Sequence, residues 1–234
     1  MLPAMSAAQA DLAAAISALQ RFYGPHGLTV RIASLEGKLT GCDHRSVHEI
    51  LRQEQATESS LAAALAVKRI AGQVNTAIHA LGISLALPAI LEEGEVILGT
   101  SLGAGSSGRG FDLETDRRVA EFKLTTWRGG AEPVRQNELF ADVFHLAETD
   151  TPKRRELYLT ELQRPLRFLN NRRALKSVLS KSAVAEEFYA RHGDNYTVVR
   201  DYWQDVRDRI IVIDVTTLVP AIAALPPEAR PSFP

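Results

Sequence analysis

Residues 108–124 have a pattern that few structures other than a β-hairpin accommodate. Two short apolar runs flank a polar stretch at 115–118, and this arrangement is typical of antiparallel strands joined by a turn. With the turn at 116–117, Leu113 lies opposite Ala120. Because side chains alternate between the two faces of a strand, one face of the hairpin is apolar. That predicted core face consists of Phe111, Leu113, Ala120, Phe122 and Leu124.

The other face of the predicted hairpin is charged. The same register places Asp112 opposite Glu121, with Glu114 and Lys123 on the same face. Two carboxylates directly opposite each other repel, so the pair is unfavourable unless a cation lies between them. Mg²⁺ prefers one or two carboxylates and keeps several waters. A divalent cation beside an ammonium group is suited to phosphodiester hydrolysis, because it lowers the pKa of water and neutralises phosphoryl charge.

The sequence Asp112, hairpin, Glu121-Phe122-Lys123 resembles the PD-(D/E)xK nuclease superfamily, which has the restriction-endonuclease-like fold. The following residues 135–140 (RQNELF) look like the Q-x-x-x-(Y/F) helix of RecB-type exonucleases within that superfamily. The resemblance covers roughly residues 61–161. It implies that Asp112, Glu121 and the Phe122 carbonyl bind Mg²⁺, with Mn²⁺ as a substitute. It also implies that Lys123 acts on the attacking water and that Gln136 orients groups near the site.

Two positions depart from the pattern of this superfamily. Phe111 replaces the proline that often precedes the first acid. Many members also carry a glutamate on the helix before the sheet, often after a glycine, whereas here Gly72 is followed by Gln73. A glutamine binds water but supplies no negative charge, so Gln73 is a supporting residue at most. Glu114 is the second supporting candidate.

The periodicity of the whole chain predicts an α/β protein with a mixed central sheet flanked by helices. Predicted domains are a helical N-terminal extension at 1–58, the nuclease-like domain at 59–225 and a Pro-rich tail at 226–234. Helices are expected from near the N-terminus to Tyr23 and at 47–53, 61–81 and 134–147. Strands are expected at 96–98, 157–159 and 210–215, the last buried on both faces, and weakly at 28–35.

Charge is distributed unevenly along the chain. The net charge of −1 argues against a protein that binds nucleic acid through its overall charge. Residues 153–181, however, contain nine basic and two acidic residues, a local charge of +7. Such a segment suits phosphate contacts, although a solvated basic surface explains it equally well. The predicted phosphate contacts are Arg167, Arg172, Arg173, Lys176 and Lys181.

Other sequence features support rival functions only weakly. Gly103–Gly108 spells GxGxxG, but a dinucleotide-binding fingerprint needs a helix next, and here a strand follows. Cys42, His44 and His48 lack a fourth zinc ligand, and a single cysteine forms no intrachain disulfide. The alternatives kept open are a catalytically inactive nuclease-fold module that binds nucleic acid or a protein, and a nucleotide-binding protein using the glycine loop.

The sequence thus predicts a Mg²⁺-dependent nuclease that hydrolyses DNA phosphodiesters, with restriction or anti-phage defence as the context. DNA is favoured over RNA as the partner, and a homodimer or a larger defence complex is the expected assembly. No run of about 18 apolar residues occurs, so no membrane-spanning segment is expected. A cytoplasmic location without a membrane partner is therefore expected.

Overall fold

A computed structural model describes residues 7–103, 110–127, 132–180, 182 and 184–223. Most of the glycine loop, together with Lys181 and the Pro-rich tail, lies outside these residues. Contacts divide the chain into two units, Met1–Asn75 and Thr76–Pro234. The division falls further along the chain than the boundary predicted after residue 58.

The first unit is helical, as the sequence predicts. It contains α1 (Ala7–Tyr23), α2 (Leu28–Leu39), α3 (His44–Gln53) and the first part of α4 (Glu58–Ile90). Helix α3 begins with a capping box, because Asp43 accepts a hydrogen bond from the Ser46 amide while Ser46 accepts one from the Asp43 amide.

The weak strand prediction at 28–35 is wrong, because these residues form part of α2. The alternating side chains Leu28, Val30 and Ile32 are exposed, so their spacing does not mark a buried strand face. Helix α2 instead contacts the end of α3 through ion pairs. Arg31 and Lys38 of α2 both pair with Glu54, a buried carboxylate that follows α3.

Helix α4 is long and apolar enough, by length and composition, to cross a membrane. Its mean hydropathy over an 18-residue window is 1.3, although polar residues interrupt every apolar run. The expectation that nothing spans a membrane rested on the absence of a run of about 18 apolar residues, and this mixed helix contains no such run.

The second unit contains a five-stranded mixed sheet with strand order β1-β2-β3-β4-β5. Strands β1 to β3 are antiparallel, and β3, β4 and β5 are parallel. The strands are β1 (Ile97–Thr100), β2 (Leu113–Thr115), β3 (Arg118–Lys123), β4 (Arg154–Leu159) and β5 (Ile211–Asp214). The helices after β3 are α5 (Pro133–Glu148), α6 (Gln163–Leu169), α7 (Leu175–Leu179), α8 (Ala185–His192), α9 (Val199–Val206) and α10 (Pro220–Ala223). The predicted α/β class is therefore confirmed.

Each face of the sheet is covered by an apolar core. The α5-side core contains Leu139, Phe140 and Phe144 of α5 with residues of α6 to α9, and the α4-side core contains Ile83 and Ala86 of α4. The hairpin's apolar face, Leu113, Ala120, Phe122 and Leu124, belongs to the α4-side core as predicted.

Two predictions about burial, one for Phe111 and one for the strand at 210–215, are wrong. Phe111 packs against the α5-side core, because β2 begins only at Leu113 and the residues before it leave the strand alternation. The strand at 210–215 is not buried on both faces. It forms β5 at the edge of the sheet, where Ile211 is 49% exposed.

A buried ion network fixes the ends of β3 and β4 that lie away from Lys123. Arg118 donates two hydrogen bonds of 2.6 Å to Glu95 and one of 3.0 Å to Glu156. Tyr158 donates to the same Glu156 at 2.6 Å. Hydrogen bonds from Arg118 lower the pKa of Glu95 to about 2, against the opposing effect of burial. This network joins the segment before β1 to the two central strands.

Arg118→Met is expected to lower the free energy of unfolding by about 3–5 kcal/mol, because it leaves two buried carboxylates without their partner. Arg117→Met is the matched control: Arg117 is 40% exposed and pairs with Glu92, so about 0–1 kcal/mol is expected. Urea unfolding followed by the fluorescence of Trp127 and Trp203, both in the second unit, measures the difference. Equal losses of unfolding free energy in the two variants would contradict a special stabilising role for the Arg118 ion network.

Candidate metal and catalytic site

The hairpin brings Asp112 and Glu121 together. Strands β2 and β3 pair with Leu113 opposite Ala120, which confirms the predicted register. Asp112 directly precedes β2, and its carboxylate lies close enough to Glu121 to raise the pKa of that residue. The Phe122 amide donates a 2.9 Å hydrogen bond to Asp112 Oδ2. The Phe122 ring stacks on Tyr158 at 4.4 Å on the opposite face, so packing of the strand holds this amide in place.

Glu121 lies in an environment that opposes its negative charge. It is 7% exposed. Burial, followed by repulsion from Asp142 and Asp112, raises the pKa of Glu121 well above its usual range. Burial likewise raises the pKa of Asp142. The three carboxyl groups therefore form a site with more negative charge than the surrounding protein stabilises, and a bound cation is what such a site favours.

Lys123 is held by the helix that follows its strand. Its Nζ forms a 2.8 Å ion pair with Asp142 Oδ2. Burial alone lowers the pKa of the Lys123 ammonium, but the negative charges of Asp142, Glu121 and Glu138 outweigh this effect and raise it. These surroundings therefore favour the charged form of Lys123.

Sequence reasoning missed Asp142. The available signal was its spacing from Glu138, because residues four apart share one face of a helix. Both acids lie on α5, which packs against the sheet face that carries Glu121 and Lys123. The direction of that face depends on how the helix packs, which the sequence pattern does not specify.

Sequence reasoning also missed His79 of α4, whose Nε2 lies 3.2 Å from Asp112 Oδ1. Three residues later in α4, Gly82 allows the helix backbone to approach Leu124 closely, since a Cβ at this position would lie 2.2 Å from the Leu124 side chain. Residues three apart share a helix face, so the close packing at Gly82 directs His79 towards the sheet. Gln73, the predicted supporting residue on this helix, is exposed and belongs to the first unit.

Gln136 is buried in the first turn of α5, where its Oε1 accepts a hydrogen bond from Arg173 Nη1. With its carbonyl oxygen engaged, the amide NH₂ is the part of Gln136 that is suited to bind a further acceptor. Arg173 was predicted as a phosphate contact, and the structure places it beside the predicted site residue Gln136.

The remaining predicted residues lie on the surface. Glu114 accepts a 2.7 Å hydrogen bond from Lys153 and is 47% exposed. Arg167 of α6, Arg172 before α7 and Lys176 of α7 are exposed. They are available to a ligand in solution, but among the described residues none of them forms an ion pair with Asp112, Glu121 or Asp142.

The donor set suits Mg²⁺ better than zinc. Within the described ranges, no group of three or more His, Cys, Asp or Glu side chains is arranged to hold a metal ion. Mg²⁺ does not require such a group, because it is commonly bound by one or two carboxylates, with water completing the octahedron. Asp112 and Glu121 supply the two carboxylates, and the resemblance adds the Phe122 carbonyl as a third ligand.

Glu121→Gln is expected to raise the free energy of unfolding of the metal-free protein at pH 7.5 by about 1.4 kcal/mol or more, the equivalent of one pKa unit. Because the pKa of Glu121 is raised on folding, its contribution to stability is present at acid pH and is lost as the pH rises through that raised pKa. The amide mimics the protonated form, so the gain should shrink towards pH 4.

Urea unfolding across this pH range measures the effect, with Glu114→Gln as the control for loss of a half-exposed carboxylate. A Glu121→Gln variant that is less stable than the wild type at pH 7.5 would show that burial and repulsion from Asp112 and Asp142 do not destabilise the ionised Glu121.

Comparison with known proteins assigns no family to this geometry. Comparisons with protein-family models, with curated proteins and with solved structures found no match. The resemblance to PD-(D/E)xK nucleases therefore rests on the residues described in the sequence analysis and stays a prediction.

Proposed function

We propose that the protein is a metal-dependent nuclease that hydrolyses DNA phosphodiester bonds. The observation that carries the proposal is the carboxyl pair Asp112 and Glu121, with the cation Lys123 two residues after Glu121 on the same strand. Glu121 is a buried acid whose ionisation is opposed by burial and by neighbouring carboxylates, and such a group beside a second acid and a lysine is a candidate functional site.

In this proposal, Asp112, Glu121 and the Phe122 carbonyl hold Mg²⁺ or Mn²⁺. A bound divalent ion supplies neutralisation of phosphoryl charge and a lower pKa for an attacking water. Lys123 acts as a cation that is held in place by its ion pair with Asp142. It orients the water and stabilises the negative charge of the transition state.

Three further residues support these groups. Asp142 positions the Lys123 ammonium through their 2.8 Å ion pair. His79 limits the rotation of the Asp112 carboxylate, whose second oxygen is held by the Phe122 amide. The Gln136 NH₂ group donates to a phosphate oxygen of the substrate.

The sheet supports the finer fold proposal, a restriction-endonuclease-like core. An antiparallel hairpin that carries the acids is followed by a helix and a parallel strand, and helices cover both faces. On the same resemblance, we propose that the enzyme acts in restriction or anti-phage defence, as a homodimer or within a larger complex. We propose a cytoplasmic location on the sequence pattern, which contains no run of about 18 apolar residues.

A second candidate is a nucleic-acid-binding module of the same fold without catalysis. The observation that favours it is the small donor set, since the described residues contain no three-residue group suited to a metal and Gln73 adds no charge. Cleavage and binding assays on the same preparations separate the two candidates.

Lys123→Met is expected to reduce Mg²⁺-dependent cleavage of linear and single-stranded DNA by about 10²-fold or more, because one stabilising charge is removed from the transition state. Asp112→Asn should abolish it. Lys68→Met is the matched control, because Lys68 is an exposed lysine of the first unit, and its activity should equal that of the wild type.

Gel assays with Mg²⁺, Mn²⁺ or EDTA measure this activity. DNA binding without cleavage in the wild type would favour the inactive module, and cleavage that survives Lys123→Met would contradict the assigned role.

Mg²⁺ is expected to stabilise the wild-type protein, since a ligand that binds only the folded state at 100 times its Kd adds about 2.7 kcal/mol. Asp112→Asn and Glu121→Gln should lose this increment, whereas Glu114→Gln should keep it. Thermal unfolding with increasing MgCl₂ measures the shift. Equal Mg²⁺ stabilisation of all four proteins would place metal binding elsewhere.

A further inference from the structure

A groove lies beside the candidate site, between α5 and the segment that contains α7. Its volume is about 600 Å³, within the range of about 300–1,000 Å³ typical of small-molecule sites. The α5 wall includes Pro133, Val134 and Asn137, and the facing wall includes Arg173, Ser177 and Ser180. Glu138, which contributes to the charge around Lys123, also lines the groove. The groove is therefore adjacent to the carboxyl cluster.

The backbone holds Arg173 firmly in this wall. Its carbonyl oxygen accepts a 3.0 Å hydrogen bond from the Val199 amide, and its own amide donates to Asn171 Oδ1 at 2.9 Å. The next residue, Ala174, forms an antiparallel bridge with Val198. A cation fixed in this way loses little conformational freedom when a ligand binds.

The groove combines three kinds of chemistry. The Arg173 guanidinium has five N–H donors, and among the described residues one of them is engaged, by Gln136. The others suit an anion, and the hydroxyls of Ser177 and Ser180 add further donors. Pro133 and Val134 provide apolar surface. Asn137 Oδ1 is buried and has no hydrogen-bond partner among the described residues, so it is suited to accept from an N–H group of a ligand.

We propose that this groove binds one unpaired nucleotide of the DNA strand, next to the bond that is cleaved. The phosphate contacts Arg173 and the serine hydroxyls, the sugar and base lie on the apolar wall, and a base N–H donates to Asn137. In a duplex, Watson–Crick pairing occupies base N–H groups and stacking covers the base faces. A paired nucleotide therefore has neither a free N–H group for Asn137 nor a free face for the apolar wall. The inference rests on the proposed nuclease function and assigns its substrate class: single-stranded DNA or frayed ends.

Fluorescence anisotropy tests the proposal with a labelled (dA)₈ oligonucleotide and with the same strand in a duplex, in EDTA so that no cleavage occurs. The wild-type protein should bind the single strand at least 10-fold more tightly than the duplex. Ser177→Trp fills the groove from an exposed position, and it should weaken single-strand binding at least 10-fold while duplex binding stays unchanged. Ser180→Trp, also exposed, is the second variant in case the first does not fold.

Ser84→Trp is the matched control, because Ser84 is an exposed serine on α4, which packs on the other face of the sheet. It should bind both DNAs as the wild type does. Equal affinity for single strand and duplex, or tight single-strand binding by folded groove-filling variants, would overturn the proposal.

Cleavage assays on the same preparations separate the two claims. If the groove-filling variants cleave DNA as the wild type does, the proposed nucleotide-binding role of the groove is wrong and the proposed nuclease function is retained. Groove-dependent binding of the single strand without any cleavage supports the groove and overturns the nuclease function.

Discussion

The antiparallel register between β2 and β3 is the constraint on which the candidate site depends. It brings Asp112, which directly precedes β2, close to Glu121 of β3, and the apolar residues of the same hairpin are buried in the α4-side core. A shift of one residue would expose that apolar face, so the packing energy of the core holds two repelling carboxylates together. The raised pKa of Glu121 reflects this cost. Ion pairing of Lys123 with Asp142 offsets part of it, and a divalent cation offsets more.

The sequence predicted the parts of the structure that follow from local alternation and composition. The hairpin register, helix α5 and the helical first unit are of this kind, because each depends on a strong periodic pattern. The α2 and β5 predictions failed where apolar runs were short, since such runs do not show whether a residue faces the core or the solvent. For β5, the position at the sheet edge decides the exposure of Ile211, and strand order is not encoded locally.

The candidate site likewise combines residues that a local pattern predicts with residues that only helix packing brings together. Asp112, Glu121 and Lys123 lie within one hairpin, so spacing alone brought them together. His79 comes from a helix 33 residues before Asp112, and its contact depends on the close approach of α4 at Gly82. Arg173 was selected for its charge, yet its hydrogen bond to Gln136 connects the basic segment with α5. Contacts of this kind arise from helix packing, and a single sequence carries no pattern that identifies them.

The central claim is that Asp112 and Glu121 share one divalent cation. A crystal structure determined with Mn²⁺ in place of Mg²⁺ tests this most directly, because anomalous scattering locates the ion independently of activity. The account predicts one strong anomalous peak between the two carboxylates, at about 2.0–2.3 Å from an oxygen of each, close to the distances that octahedral Mg²⁺ requires. Absence of a peak between these carboxylates at saturating Mn²⁺, or a peak at another set of residues, would contradict it.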